Sequence, residues 1–169
     1  MRKILLSCFI IFAIIVFIGC GRAPVTVNHS TVEQSDGSKH VRSSNTISVN
    51  GILVEVEVAR TMEEKMQGLS GREMLPEGKG MLFVYDQPVR PSFWMKEMRF
   101  SIDIIWIRNG KVVDVSADLP YPQLSQPLSE LPTFSPSEFA THVLEVPAGW
   151  AEKNGVVIGS EVTILEFDQ

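Results

Sequence analysis

Cysteine is nearly absent. The 169 residues contain two, Cys8 and Cys20, both within the first twenty positions. Everything after Cys20 therefore lacks a thiol, which excludes a disulfide framework, a thiolate-bound metal and a cysteine nucleophile. Histidine is almost as scarce. His29 and His40 stand eleven residues apart in a polar stretch, and His142 is the single histidine of the C-terminal part. No H-E-x-x-H or other ligand spacing occurs, so no metal and no other cofactor is expected. A nucleophile elbow is missing too, because Gly68-Leu-Ser-Gly71 has the wrong spacing for G-x-S-x-G. Nor does a glycine loop open a helix to cradle phosphate: Glu77-Gly-Lys-Gly80 leads into a strand pattern and reads as a turn.

The one long apolar run lies at the N-terminus. Arg2 and Lys3 precede residues 4–18, which are apolar apart from Ser7, and the run ends at Gly19-Cys20. That is the order of a secretory signal, and it is shorter than the roughly 20 residues a spanning helix needs. Phe17-Ile18-Gly19-Cys20 resembles a lipobox, in which the cysteine is acylated (palmitate being a usual chain) and becomes the first mature residue. Residues 1–19 are thus expected to be a lipoprotein signal peptide, with lipid on Cys20 holding the mature chain to the cell envelope. More than one acyl chain makes such an anchor stable. Gly21, rather than aspartate, follows the cysteine, which favours the periplasmic face of the outer membrane in a host with two membranes.

Two of the fifteen basic residues, Arg2 and Lys3, leave with the signal, so 13 basic face 20 acidic residues in the mature chain, a formal −7. Such a balance argues against nucleic acid as a partner. Residues 20–45 comprise the lipidated cysteine and a polar, serine-rich segment with no apolar period, expected to be a disordered tether.

Residues 46–169 read as one mainly-β domain. Asn50-Gly51 and Asn109-Gly110 each separate two strand-like runs, the strongest short hairpin signal. Val54, Val56 and Val58 alternate with Glu55 and Glu57, giving that strand one buried face. Thr61 and Glu64 form a capping-box pattern for a short helix. Its Met62, Met66 and Leu69 fall at helical spacing and read as core. Residues 101–107 are almost continuously apolar, as in a strand buried on both faces. A proline-rich stretch, 118–137, suggests a functional or mobile loop. A strand at 141–146, a short helix at 147–153 and a strand at 161–167 follow. The pattern predicts a compact β-sandwich or partly open barrel with one or two short helices.

The densest chemistry is Phe93-Trp-Met-Lys-Glu-Met-Arg-Phe-Ser-Ile-Asp103. A charge taken from water costs several kcal/mol unless paired. If Arg99 and Phe100 centred a tight turn, Lys96 and Asp103 would face each other. They would then form a cross-strand ion pair, or Asp103 would accept backbone amides. The sharper alternative is a polar floor in an apolar cleft walled by Trp94, Met95 and Met98. Of the three tryptophans, Trp106 and Trp150 read as core and Trp94 as the one offered to a ligand. His142, ahead of an apolar alternation, reads as structural.

Several of these segments occur together in one order: Val54-Glu-Val-Glu-Val-Ala59, Gly68-Leu-Ser-Gly-Arg72, Gly80-Met-Leu-Phe-Val84, Phe93-Trp-Met-Lys96, Ile102-Asp-Ile104 and Val143-Leu-Glu-Val-Pro-Ala-Gly149. So ordered, the chain resembles the domain of unknown function 192 family across nearly all of 46–167. The resemblance implies a compact mainly-β fold and no established activity. Glu97 and Ser101 stand where family members often have asparagine or aspartate and proline, and the cysteine pair that some members carry in the proline-rich loop is missing. Arg72, Trp94, Met95, Lys96 and Asp103 match the family pattern and form the candidate binding site.

Two functions are weighed from the sequence. The first is a non-enzymatic module that binds a small ligand or an envelope protein near positions 94–103. The other is an envelope hydrolase or lyase using Asp103 or His142 as base, with Lys96 or Arg72 against an anionic intermediate.

Overall fold

Both Asn-Gly pairs make the hairpins they predict. In the computed structural model, which describes residues 45–123 and 126–166, Asn50 and Gly51 have φ of 52° and 82°, and Asn109 and Gly110 have φ of 52° and 69°. Positive φ at both central residues gives a turn whose twist matches the flanking strands, and asparagine and glycine tolerate it best. The first pair joins β1 (Thr46–Val49) to β2 (Ile52–Ala59), with Val49 opposite Ile52. The second joins β5 (Ile102–Arg108) to β6 (Lys111–Leu119), with Arg108 opposite Lys111. The export signal, Cys20 and almost all of the tether lie outside the described residues.

With β3 (Lys79–Val89), β8 (Ala140–Pro147) and β9 (Val162–Glu166), these strands form a seven-stranded sheet in the order β6-β5-β8-β3-β2-β1-β9. Every pairing is antiparallel except β2 with β3, which runs parallel from Glu55 opposite Lys79 to Ala59 opposite Phe83. A parallel pair requires a crossover. Here it contains α1 (Met62–Gln67), whose capping box is complete: Thr61 Oγ1 accepts from the Glu64 amide, and the Glu64 carboxylate accepts from the Thr61 amide.

The sheet curls until its two edges meet at one end. The Val112 amide donates to Ser160 O at 2.9 Å, Val162 N to Gly110 O at 2.8 Å, and Lys111 bridges to Glu161. Of the two arrangements the sequence allows, the fold is therefore the partly open barrel, a half-barrel with two short helices. Its interior holds Ile47, Val54, Leu82, Ile105, Leu144 and Val146, plugged by Trp150 and Ala151 of α2 (Trp150–Lys153). Phe83, Ile104, Trp106 and Val143 lie on the other face. They are covered by a two-stranded ribbon of β4 (Phe93–Trp94) and β7 (Thr133–Phe134). Phe93 meets Phe83 and Trp106 edge-on, at centroid distances of 4.9 and 5.4 Å. The buried indole of Trp106 donates to Ser116 Oγ at 3.1 Å, so its polar atom is satisfied.

The proline-rich stretch contains short elements of its own. β6 continues to Leu119, and the stretch includes a 3-10 turn at Leu128–Glu130 before β7 clamps Phe134 opposite Phe93. Leu119 and Phe134 are the points at which this stretch joins the core, which no local pattern announces.

Gly80 leaves no room for a side chain where β3 runs beside β8. A Cβ there would lie 2.9 Å from Glu145 O, 3.0 Å from Leu144 Cδ1 and 3.2 Å from Val54 Cγ1. Backbone on one side and core on the other leave it nowhere to go. Gly80→Ala is expected to cost about 2–3 kcal/mol through overpacking. Chemical denaturation measures it, and a loss under about 0.5 kcal/mol would show the strands yielding freely at that point.

Candidate functional site

Strand alternation decides which side chains of β8 reach which face. Leu144 and Val146 point into the barrel, so Val143 and Glu145 point to the face carrying Phe83 and Trp106. Glu145 lies opposite Met81 on β3 and Ile104 on β5, in the middle of the sheet. It is only 6% exposed, and among the described residues no group hydrogen-bonds its Oε2. A buried carboxyl so placed cannot readily carry charge. Burial pushes it up to about 8, against a smaller opposing pull from the Arg72 guanidinium.

Glu145 is not sealed in. It forms part of the lining of a cleft of about 340 Å³ whose apolar walls include Phe83, Phe93, Trp94 and Met98. Ser70, Tyr85, Lys65 and Lys96 add polar groups. Lys65 Nζ lies 4.4 Å from the centroid of the Tyr85 ring, and Lys96 Nζ 5.7 Å from that of Trp94. The Tyr85 hydroxyl is raised to about 12, first by burial and then by Glu145, so it stays protonated at any physiological pH. Met62, Met66, Gly68 and Lys96 are shared with a second, shallower hollow of about 830 Å³, lined further by Glu57, Met81 and Arg72.

Tight local turns hold the walls. The Met98 amide donates to Met95 O at 3.2 Å, with Glu97 at φ 57° inside that turn. Asparagine suits that conformation better than glutamate. Ser70 Oγ donates to Lys96 O at 2.9 Å, and the Gly71 amide to Glu97 O at 2.9 Å, binding the loop after α1 to the 93–98 segment.

The structure separates the five candidate site residues. Trp94, 49% exposed, and Lys96 line the cleft. Arg72 lines the neighbouring hollow and pairs with Glu57 through both carboxylate oxygens. Met95 is packed in the core beneath them. Asp103 stands apart: it is fully buried and accepts the amides of Asp118 at 2.8 Å, Gly149 at 3.1 Å and Ala151 at 2.8 Å. The turn falls at Met95–Met98, not at Arg99-Phe100, so Lys96 and Asp103 do not meet. Of the outcomes the sequence allows for Asp103, the structure shows acceptance of backbone amides.

His142 also lies off the cleft, since alternation puts it on the face opposite Glu145. Its Nδ1 lies 3.0 Å from Thr141 Oγ1, and burial, followed by the charge of Arg60, lowers its pKa. Neither Asp103 nor His142 lines the cleft or the hollow that hold Lys96 and Arg72, so no base-and-cation pair of the kind the sequence offers for a hydrolase or lyase is assembled there. Met62 and Met66, expected in the core, are each 74% exposed. The reason is that α1 buries none of its side chains, and its stripe borders the two hollows instead.

Glu145 is not among the residues the sequence singles out. Val143-Leu-Glu-Val reads as an ordinary alternation, whereas both neighbours of the glutamate, Leu144 and Val146, are buried, as is Val143 two residues back. An acid inside a strand apolar on both faces was the available signal.

A crystal structure of a protein of unknown function from Novosphingobium aromaticivorans is 27% identical to the chain, with a TM-score of 0.62 over 70% of this chain and 83% of that one. Another, from Sinorhizobium meliloti and described as a candidate transcription regulator, is 21% identical, with a TM-score of 0.63 over 72% and 94%, a likeness of fold alone. No curated protein matches the chain with significance. The family model DUF192 (Uncharacterized ACR) matches residues 45–164, spanning the half-barrel from β1 into β9 and including every residue of the cleft, and the chain belongs to that family.

Proposed function

We propose that this domain is a non-enzymatic binding module that holds a small ligand in the cleft above Glu145. In this reading the lipid on Cys20 carries the module on the envelope face of a membrane. One observation carries the binding role: a buried carboxyl with an unpartnered oxygen in an aromatic-lined cleft. Ligand sites commonly combine a few polar groups with an apolar lining in volumes of about 300–1,000 Å³. A buried polar atom without a partner costs about 1–3 kcal/mol, which a ligand donating or accepting there recovers. The exposed methionines of α1 supply a rim that adapts to shape, as flexible thioether side chains do.

A ligand screen by thermal shift on the full-length protein in detergent tests the reading. A compound at a hundred times its dissociation constant stabilises by about 2.7 kcal/mol, a shift of several degrees. Trp94→Ala is expected to weaken any such hit about tenfold or more while the domain still folds. A hit that Trp94→Ala and Glu145→Gln both leave unchanged would place binding elsewhere and sink the assignment. Release of Cys20→Ser from the membrane fraction tests the anchor. An enzymatic reading would rest on Glu145 as a general acid in place of Asp103 or His142. Turnover with a pH limb near 8, abolished by Glu145→Gln, would favour it over simple binding.

A further inference from the structure

We infer that the cleft is built for a small hydroxylated carboxylic acid with a ring, such as a uronic-acid sugar. This rests on the reading of the cleft as a ligand site and adds the chemistry of its occupant. Three features of the lining narrow the choice. Glu145 offers a buried carboxyl whose Oε2 has no partner among the described residues. A purely apolar ligand would leave that atom as it is, whereas a hydroxyl both gives to and accepts from a carboxyl. Trp94 is half exposed at the rim, a flat face of the kind that stacks on a ring.

The third feature is charge. The ionisable groups lining this cleft are Glu145, Tyr85, Lys65 and Lys96. Arg72 is close enough for Glu145 to feel its charge but is paired with Glu57. Lys65 stands on Tyr85, and Lys96 reaches a carboxylate only at the 3.5 Å of its contact with Glu97. Both ammonium groups can therefore turn to an anion at the mouth. An amine ligand would meet two like charges there, a repulsive element that selects against it. A neutral sugar would satisfy Glu145 and Trp94 but leave the lysines idle. Burial keeps the Glu145 carboxyl protonated at neutral pH, so it does not repel an anionic ligand. The ligand that uses every group places its ring against Trp94, a hydroxyl on Glu145 and its carboxylate toward Lys65 and Lys96.

The test compares glucuronate, glucose and glucosamine, titrated at pH 6.5 into the full-length protein in micelles. The indole N–H signals of its three tryptophans are followed by NMR. Trp94 is expected to shift, while Trp106 and Trp150, both buried, stay still. Glucuronate should bind about tenfold more tightly than glucose, the scale of one charge-assisted contact, with glucosamine weakest. Lys65→Ala with Lys96→Ala should erase the preference for the acid over glucose, while Glu145→Gln should weaken both sugars. Equal binding of glucuronate and glucose, or a preference for glucosamine, would overturn the ligand class while leaving the cleft as the site. No Trp94 shift with any of the three would overturn the class as well. If a broader panel of apolar, peptidic and anionic compounds also left Trp94 unmoved, the reading of the cleft itself would fall with it.

Discussion

Asp103→Ala should be among the most damaging single substitutions in the domain, costing about 4 kcal/mol or more. The side chain is fully buried and its two oxygens satisfy three backbone amides, those of Asp118, Gly149 and Ala151. Two of these open α2, whose N-cap is Gly149 and which has no side-chain cap of its own. Asp103 therefore caps that helix from a distant strand and pins it into the half-barrel. Each buried amide left unpaired costs about 1–3 kcal/mol, and the losses overlap because the three share one carboxylate. Asp103→Asn keeps one oxygen but turns an amide nitrogen toward an N–H, and should fall between wild type and alanine. Urea denaturation of the three proteins measures this, and an alanine variant within about 1 kcal/mol of wild type would show the network to be dispensable.

Glu145→Gln should act in the opposite direction and make the domain more stable at pH 8. The folded state raises the Glu145 pKa from 4.5 to about 8. Between those values the folded protein holds a proton that the unfolded chain has released, so stability falls as pH rises through that window. Below pH 4.5 both states are protonated and nothing is lost. Above pH 8 the loss levels off. At 1.36 kcal/mol per pH unit, the decline from pH 5 to pH 8 is about 3 kcal/mol, on the order of 10 °C in melting temperature for a domain of this size. Glutamine keeps the shape without the ionisation and should flatten that slope. Other groups do not mimic the effect. His142, lowered by its burial, gains stability as pH rises toward 6.5, the reverse sign. Glu57, lowered chiefly by its hydrogen bond from Arg72, acts below pH 4.5. Equal pH slopes in wild type and Glu145→Gln would mean that Glu145 titrates like a solvated acid and is not buried as described.

Both residues show where local reading stops. Asp103 was visible in the sequence as a charge among aliphatics, and acceptance of backbone amides was among its expected fates. That the donors come from Asp118 and from the start of α2, up to 48 residues away, could not be read, because strand spacing says nothing about which distant backbone arrives opposite a side chain. Glu145 is not legible in the sequence because glutamate after a leucine in a strand is ordinarily on the wet face. Here α2 fills one side, and the ribbon and the loop after α1 cover the other except where the cleft opens beside Glu145. Met62 and Met66 failed in the opposite sense. Helical spacing marked a stripe, but spacing cannot say whether a stripe meets a core or borders an open cleft.

What the sequence determined by itself is what depends on neighbours along the chain. The two Asn-Gly hairpins, the capping box of α1, the doubly buried β5 and a mainly-β fold all follow from periods and turn residues a few positions apart, whereas the choice of partly open barrel over sandwich does not. The tertiary structure alone decided the closing of the sheet between β6 and the run before β9, the pairing of Phe134 with Phe93, and the meeting of Glu145 with Trp94, Lys65 and Lys96 in one cleft. Each joins segments far apart in sequence. Such contacts are selected by the shape and burial of the whole fold, so no short window of residues records them.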